Sequence, residues 1–380
     1  MIKIDNSLIK KRIIFNWSGI STSFDSSQAL FSSVDIDVGT QALLNSLRKN
    51  KGIDYSKILD LGCGYGIIGI FLKKQDLSRE VVLSDRDMLA VLFSQHNVLL
   101  NEVDVKVDHG LDYEGLGSDE KFSLIATNFP AKMERQGLKG FVAKGTRHLH
   151  KDGTMALVIV NELVADFESV IQEYQNCIII TYQEHKKGHS IYHLKFNKEI
   201  NDEISYERSQ LVLPLKNKLE LITARGLPEF DTLNYASELA IEILKKISHE
   251  KVNNVAAIES GQGGVAVATN EILKPINKIS LYSRDAMALK FSNLNLSRYF
   301  EGTINAVPLG YLTDKLSADL ILWQVRDKNS GVVHQLNAKV INQCQGRCLI
   351  YGEEGIIEKL RITRPVQDTL SYRGCVAVLF

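Results

Sequence analysis

One motif occurs twice in this chain, and that repetition limits the possible fold more than any single property does. Residues 57–66 (KILDLGCGYG) read as a buried strand entering a glycine-rich turn, and residues 255–263 (VAAIESGQG) have the same shape with the Gly-x-Gly spacing kept. Downstream, LSDRDM at 83–88 is matched by LYSRDA at 281–286, SQHN at 94–97 by SNLN at 292–295, and FSLI at 122–125 by ADLI at 318–321. The separation stays near two hundred residues throughout, which describes two copies of one domain. The polar stretch 197–210 (NKEINDEISYERSQ) has no apolar periodicity and marks the connection. The boundary is placed at residue 203, giving domains 1–203 and 204–380.

Within the first copy, apolar runs of strand length alternate with helical patterns. Lys57–Leu61, Val81–Ser84, Val105–Val107, Leu124–Thr127, Met155–Val160, Cys177–Tyr182 and Ile191–Phe196 are the expected strands. Strands alternating with helices give an α/β fold with a mostly parallel, seven-stranded sheet covered on both faces. Ligands on such sheets bind beyond the carboxyl ends of the strands, so the residues just after each strand are the ones to examine.

Composition narrows the class further. At 44% hydrophobic and 24% charged residues, the chain is expected to be a soluble protein with two sizeable cores. The first twenty residues scatter Lys3, Lys10, Lys11 and Arg12 among short apolar pairs, unlike a signal peptide, and no stretch reaches membrane-spanning length. Cys63, Cys177, Cys344, Cys348 and Cys375 are few and odd in number, as expected in a reducing cytoplasm. Cys344 and Cys348 have no second Cys or His pair at ligand spacing, and the nine His share no ligand face, so no metal is expected. Trp17 and Trp323 read as packing residues. Acidic and basic residues balance at 45 each, which gives no global attraction to nucleic acid. Locally, Lys132, Arg135, Lys139, Lys144, Arg147 and Lys151 face Glu134 alone. That basic run is either a solvated helix face or a phosphate-contacting segment, with Lys132, Lys144 and Arg147 as the candidate substrate contacts.

The turn Asp60-Leu61-Gly62-Cys63-Gly64-Tyr65-Gly66 lets backbone amides approach a ligand closely. Its glycine spacing is tighter than the G-x-G-x-x-G of a dinucleotide site and suits a smaller, zwitterionic ligand. Asp85, at the end of the next strand and followed by Arg86, lies where a carboxylate accepts both hydroxyl protons of a ribose. Asp108, at a third strand end, is placed to accept from an adenine amino group. Each Asp alone reads as a helix cap; the ordered set reads as a ligand site.

With these residues in view, the first copy resembles the class I S-adenosylmethionine-dependent methyltransferases, and within them the "small" methyltransferase family that includes two-domain ribosomal RNA guanine methyltransferases. The resemblance covers residues from about 24 to 196. It rests on the glycine turn, the FSSVDIDVGTQ segment at 31–41, GTRHLHKDGTM at 145–155 and GHSIY at 188–192. It implies two tandem Rossmann-like methyltransferase domains and S-adenosyl-L-methionine as cofactor. It implies that Asp37, Gly39 and Thr40 lie over that cofactor. The family's Asn-Pro-Pro-aromatic signature appears as Asn128-Phe129-Pro130-Ala131. By resemblance, Asn128 and the following backbone carbonyl accept hydrogens from an exocyclic amine, with Phe129 and Pro130 shaping the site. Ala131 cannot stack on a base, and Phe129 is the neighbouring ring that would have to do so.

The second copy has lost more: Asp60 corresponds to Ala257, Gly62 to Glu259, Asp85 to Ser283 and Asn128-Phe129-Pro130 to Gln324-Val325-Arg326. It reads as a degenerate domain without a cofactor site, serving substrate binding or structure. In the family the degenerate copy usually comes first, so the order here is reversed. The implied function is methylation of a ribosomal RNA purine amino group. Two rivals remain: the same chemistry on a protein or small molecule, and a noncatalytic RNA-binding scaffold.

Overall fold

A computed structural model describes residues 4–130 and 134–380. Two compact units compose it, Met1–Tyr206 and Glu207–Phe380. The first opens with a hairpin of β1 (Lys11–Trp17) and β2 (Ile20–Ser26), followed by α1 (Val38–Lys49), β3 (Lys57–Leu61), α2 (Ile67–Gln75), β4 (Glu80–Asp85), α3 (Met88–Leu100) and β5 (Lys106–His109). It continues with β6 (Phe122–Asn128), α4 (Glu134–Thr146), β7 (Leu149–Val160), α5 (Val164–Glu173), β8 (Ile178–His185) and β9 (His189–Phe196).

Its seven-stranded sheet has the order β5-β4-β3-β6-β7-β9-β8, parallel except for β9, which runs antiparallel to both neighbours. Ile58, Leu59, Leu124 and Ile125 are fully buried, as continuous apolar runs are when helices cover both faces of a parallel sheet. Strand order reverses between β3 and β6, which opens a crevice at the carboxyl ends of β3, β4 and β6. Every expected strand of this copy is present. The strand expected at Met155–Val160 begins earlier, at Leu149, and a register shift between Phe122 and Leu124 absorbs the added residues.

The second unit repeats this plan: β10 (Glu207–Val212), β11 (Glu220–Ala224), α6 (Tyr235–Lys246), β12 (Asn254–Ile258), α7 (Gly264–Ile272), β13 (Lys278–Ser283), α8 (Ala286–Ser297) and β14 (Thr303–Pro308). Then follow β15 (Leu320–Val325), α9 (Gly331–Ile341), β16 (Arg347–Glu353), α10 (Glu354–Ile357), β17 (Asp368–Tyr372) and β18 (Cys375–Leu379). Its sheet order, β14-β13-β12-β15-β16-β18-β17, is that of the first unit strand for strand.

A buried amide at the same position ties down the leading hairpin of each copy, and in the first copy Asn101 adds a second such contact, to Ser23. Asn97 on α3 accepts from Asp25 N at 2.8 Å and donates to the carbonyls of Asp25 (3.1 Å) and Tyr65 (2.9 Å). Asn295 on α8 accepts from Ile222 N at 2.7 Å and donates to the carbonyls of Ile222 (2.9 Å) and Gln262 (2.8 Å). Each amide thus couples hairpin, helix and glycine turn, and a buried amide so satisfied is costly to replace.

Candidate active site

The glycine turn leaves β3 with Gly62, Gly64 and Gly66 at φ of 72°, 59° and 91°, the left-handed region that glycine enters without steric cost. Gly66 N–H closes the turn on Cys63 O at 2.9 Å, and α2 begins there. A Cβ on Gly64 would meet nothing within 4 Å, so the backbone at that point borders open space. Cys63 faces inward: it is buried, its sulfur 3.4 Å from Ser94 Oγ, and burial pushes its thiol up.

Two carboxylates bracket this turn. Asp60 is buried beneath it, with Oδ2 accepting from Gly69 N at 2.9 Å and Oδ1 buried without a hydrogen-bond partner among the described residues. Asp85 ends β4, accepting from Gly64 N through Oδ2 and from Asp87 N through Oδ1, both at 2.8 Å. Burial raises the Asp60 carboxyl to about 7, with the charge of Asp85 adding to the effect. Burial also raises Asp85 to about 6, helped by the charge of Asp87. Such a pair favours a cationic neighbour.

Asn128 ends β6, beside the turn: Thr127 Oγ1 lies 3.9 Å from where a Gly62 Cβ would stand. Its Nδ2 donates to Asp37 Oδ2 at 2.8 Å and to Thr40 Oγ1 at 3.1 Å. Asp37 is the N-cap of α1, and the same Oδ2 accepts from Thr40 N at 3.1 Å. Asp37 and Thr40, expected over the cofactor, are therefore in contact with the catalytic candidate itself. Gly39 is the clearance between them: a Cβ there would stand 2.8 Å from Asp37 Oδ2 and 2.9 Å from the His189 ring. His189, at the start of β9, is thereby placed beside the site with its Nδ1 buried and unpartnered among the described residues. The sequence segment containing it carried the family resemblance, but nothing in its spacing assigned that ring a place. On the 31–41 segment, Phe31, Val34 and Val38 are 74%, 58% and 65% exposed, and Tyr65 of the glycine turn holds the loop before α1 by donating to Ser32 O at 3.0 Å.

Other expected residues are not gathered here. Phe129 is 4% exposed and packs edge-on to Phe141 with centroids 5.4 Å apart, so it is a core residue and not a stacking ring. Asp108 Oδ2 pairs with Lys106 Nζ at 2.6 Å, one strand further out than Asp85. Arg86 offers its backbone carbonyl to His109 Nε2 at 3.0 Å. Three cations of the basic run, Arg135, Lys139 and Lys144 on α4, are paired with acids from other elements. Arg135 pairs with Glu173 at 2.7 Å, Lys139 with Glu173 and Asp202 at 2.5 and 3.1 Å, and Lys144 with Asp112 at 3.7 Å while lying 4.3 Å from the Tyr206 ring. Arg147 is exposed, but α4 starts near the site and carries it about 20 Å away at 1.5 Å per residue, to the amino ends of β6 and β7. Pro130 ends the described part of the motif; Ala131 and Lys132 lie outside the described residues.

The second unit shows what the same frame looks like when filled from within. Glu259, Gly261 and Gly263 take φ of 56°, 57° and 88°, so the turn survives with Glu in the first glycine's place. Where Asp85 reaches back from β4 to the turn, the contact is reversed: Glu259 reaches from the turn to the end of β13, accepting from Ser283 Oγ and Arg284 N at 2.9 Å each. The Arg326 guanidinium lies 3.1 Å from where a Gly261 Cβ would be, occupying the volume that is open over Gly64, and is paired with buried Glu229.

A doubly covered sheet of this order, with a glycine turn after one strand, an acid after the next and an amide after the fourth, defines a methyltransferase-type α/β domain. Residues 21–192 match the family model described as the methyltransferase small domain. A relative from Pseudoalteromonas atlantica named "Ribosomal RNA small subunit methyltransferase C" is 33% identical over 40% of this chain and 46% of its own length. One of the same name from Vibrio vulnificus is 26% identical over 47% of this chain and 51% of its length. An uncharacterised protein, YbxB of Bacillus subtilis, is 28% identical over 44% of this chain and 83% of its length. The alignments thus span about half the length of the named relatives. A solved structure titled as the T. thermophilus 16S rRNA N2 G1207 methyltransferase (RsmC) with AdoMet and guanosine superposes with a TM-score of 0.72 at 14% identity, covering 99% of each chain. The two-unit fold is therefore shared along the whole molecule. No helix among the described residues is long and apolar enough to cross a membrane.

Proposed function

We propose that the first unit transfers a methyl group from S-adenosylmethionine to an exocyclic amino group of a ribosomal RNA purine in the cytoplasm, and that the second unit serves substrate binding or structure. The observation that carries this reading is Asn128: both N–H groups of its amide are taken by Asp37 and Thr40, which leaves its carbonyl as an acceptor at the crevice. The cofactor's charge and shape fit the residues around it. The unpartnered Asp60 oxygen and the raised Asp60 and Asp85 carboxyls favour a cation, and the backbone over Gly64 is open.

When bound, the cofactor supplies an electrophilic methyl, whose bond to sulfur breaks as a bond to the acceptor nitrogen forms, with one proton leaving that nitrogen. The chain's part is positional. Asn128 accepts one amine hydrogen and so aims the nitrogen lone pair, a contribution made by orientation and fixed dipoles and not by a strong base. The exposed Phe31, Val34 and Val38 offer apolar surface for a base in a motif whose own aromatic is missing.

The test is transfer of labelled methyl to ribosomal RNA and small subunits from a strain lacking the gene. Wild type is expected to incorporate label, and Asn128→Ala to lose about 10²- to 10³-fold in rate. No transfer by a cofactor-binding wild-type protein would overturn the RNA reading. A second reading, a protein or small-molecule acceptor, is favoured by the burial of Phe129 and the self-neutralised cations of α4. Salt separates the two, because RNA binding weakens steeply as salt rises.

A further inference from the structure

We propose that Asp37 is a positioning residue for Asn128, and that the Asp37-x-Gly39-Thr40 segment is built to hold the Asn128 amide in one of its two flip states. This rests on the reading of Asn128 as the acceptor-orienting group. The argument starts from donor and acceptor chemistry. An ionised carboxylate only accepts, so the amide nitrogen, not its oxygen, must face Asp37. Asp37 Oδ2 takes one amide hydrogen at 2.8 Å and Thr40 Oγ1 the other at 3.1 Å. The carbonyl then points away from both, and an amide with one hydrogen on a carboxylate is a more polarised acceptor.

The second unit supplies an internal comparison. Gln324 stands at the position of Asn128 and donates to Ser237 Oγ, the counterpart of Thr40, at 3.2 Å. The carboxylate in that cluster comes from elsewhere, Glu229 Oε2 at 3.2 Å, while the helix cap is Asn234. With no carboxylate on the cap residue, no clearance is needed two positions on, and the residue there is Ala236. Gly39 leaves room for the cap carboxylate turned toward the strand amide and for the His189 ring, which a Cβ would meet at 2.8 and 2.9 Å.

The deciding variants are Asp37→Asn and Thr40→Val. Asn caps a helix as well as Asp does, so Asp37→Asn keeps α1 while presenting an amide that satisfies either flip state of Asn128. Three quantities are measured on the full chain: turnover on RNA, affinity for S-adenosylhomocysteine by calorimetry, and the Asn128 side-chain amide resonances, assigned by their loss in Asn128→Ala. Expected for Asp37→Asn are a 10- to 100-fold fall in kcat, cofactor affinity within twofold of wild type, displaced amide resonances, and partial recovery in Asp37→Glu. Thr40→Val is expected to displace the same resonances and serves if Asp37→Asn fails to fold. Unchanged resonances, or cofactor affinity lost in step with kcat, would overturn the clamp. Absence of RNA methylation by wild type would instead sink the RNA reading, with the resonances still deciding this one.

Discussion

Asn128 and Phe129 are adjacent in the sequence and opposite in role, because successive side chains of an extended segment point to opposite sides. Asn128 meets the helix cap at the crevice, and Phe129 enters the core against Phe141. Phe129→Ala should cost about 3–5 kcal/mol of first-unit stability, as removal of a buried ring does, while Phe129→Leu should retain most of it. Melting curves check this, and a Phe129→Ala protein that melts like wild type would contradict the packing. The motif made Asn128 legible in the sequence, whereas Phe129, the ring expected to stand in for the missing aromatic, packs in the core. The partners of Asn128 were not legible as such. Asp37 lies in a separate segment whose resemblance pointed to the cofactor, and only the packing of α1 against the end of β6 brings the two together.

At the scale of elements, the two acid-bearing strand ends set a pH dependence. The folded protein holds the Asp60 and Asp85 protons to about 7 and about 6, above the ordinary value of 3.8 in the unfolded chain. Folding therefore takes up protons between these values, and the ligand-free first unit loses stability as pH rises from about 4 to about 7. A cationic cofactor has the opposite preference, since it stabilises the ionised carboxylates. Its dissociation constant is expected to rise at least tenfold, roughly, as pH falls from 8 to 5, with proton release on binding near pH 6 and a flatter profile in Asp60→Asn. Calorimetry in buffers of different ionisation enthalpy measures both, and a pH-independent affinity would refute the assignment. The strands themselves were legible because buried parallel strands are continuous apolar runs. The α4 cations were not, since Glu173, Asp202 and Asp112, which neutralise them, come from other parts of the chain. The hairpin β1–β2 escaped notice because β1 exposes apolar Ile14 between buried Ile13 and Phe15, which hides the alternation, and β2 is mostly polar in sequence.

Across the whole molecule, one open and one self-filled site predict one cofactor per chain. In scanning calorimetry, S-adenosylhomocysteine at a hundred times its dissociation constant should stabilise the first unit by about 2.7 kcal/mol and leave the transition of the second unit where it was. Movement of both transitions, or binding of two ligands, would show the second site to be open. The filled site also bears on history. Arg326 and buried Glu229 hold each other's charge, and removing either alone strands the other, a loss of up to about 3–5 kcal/mol, a large part of the roughly 5–15 kcal/mol that keeps a domain folded. Restoring glycine at 259 would not by itself evict Arg326 from above Gly261. The second copy therefore sits behind a ratchet: regaining its lost ligand requires several coordinated changes, each harmful alone, whereas further drift into a new role meets no such barrier.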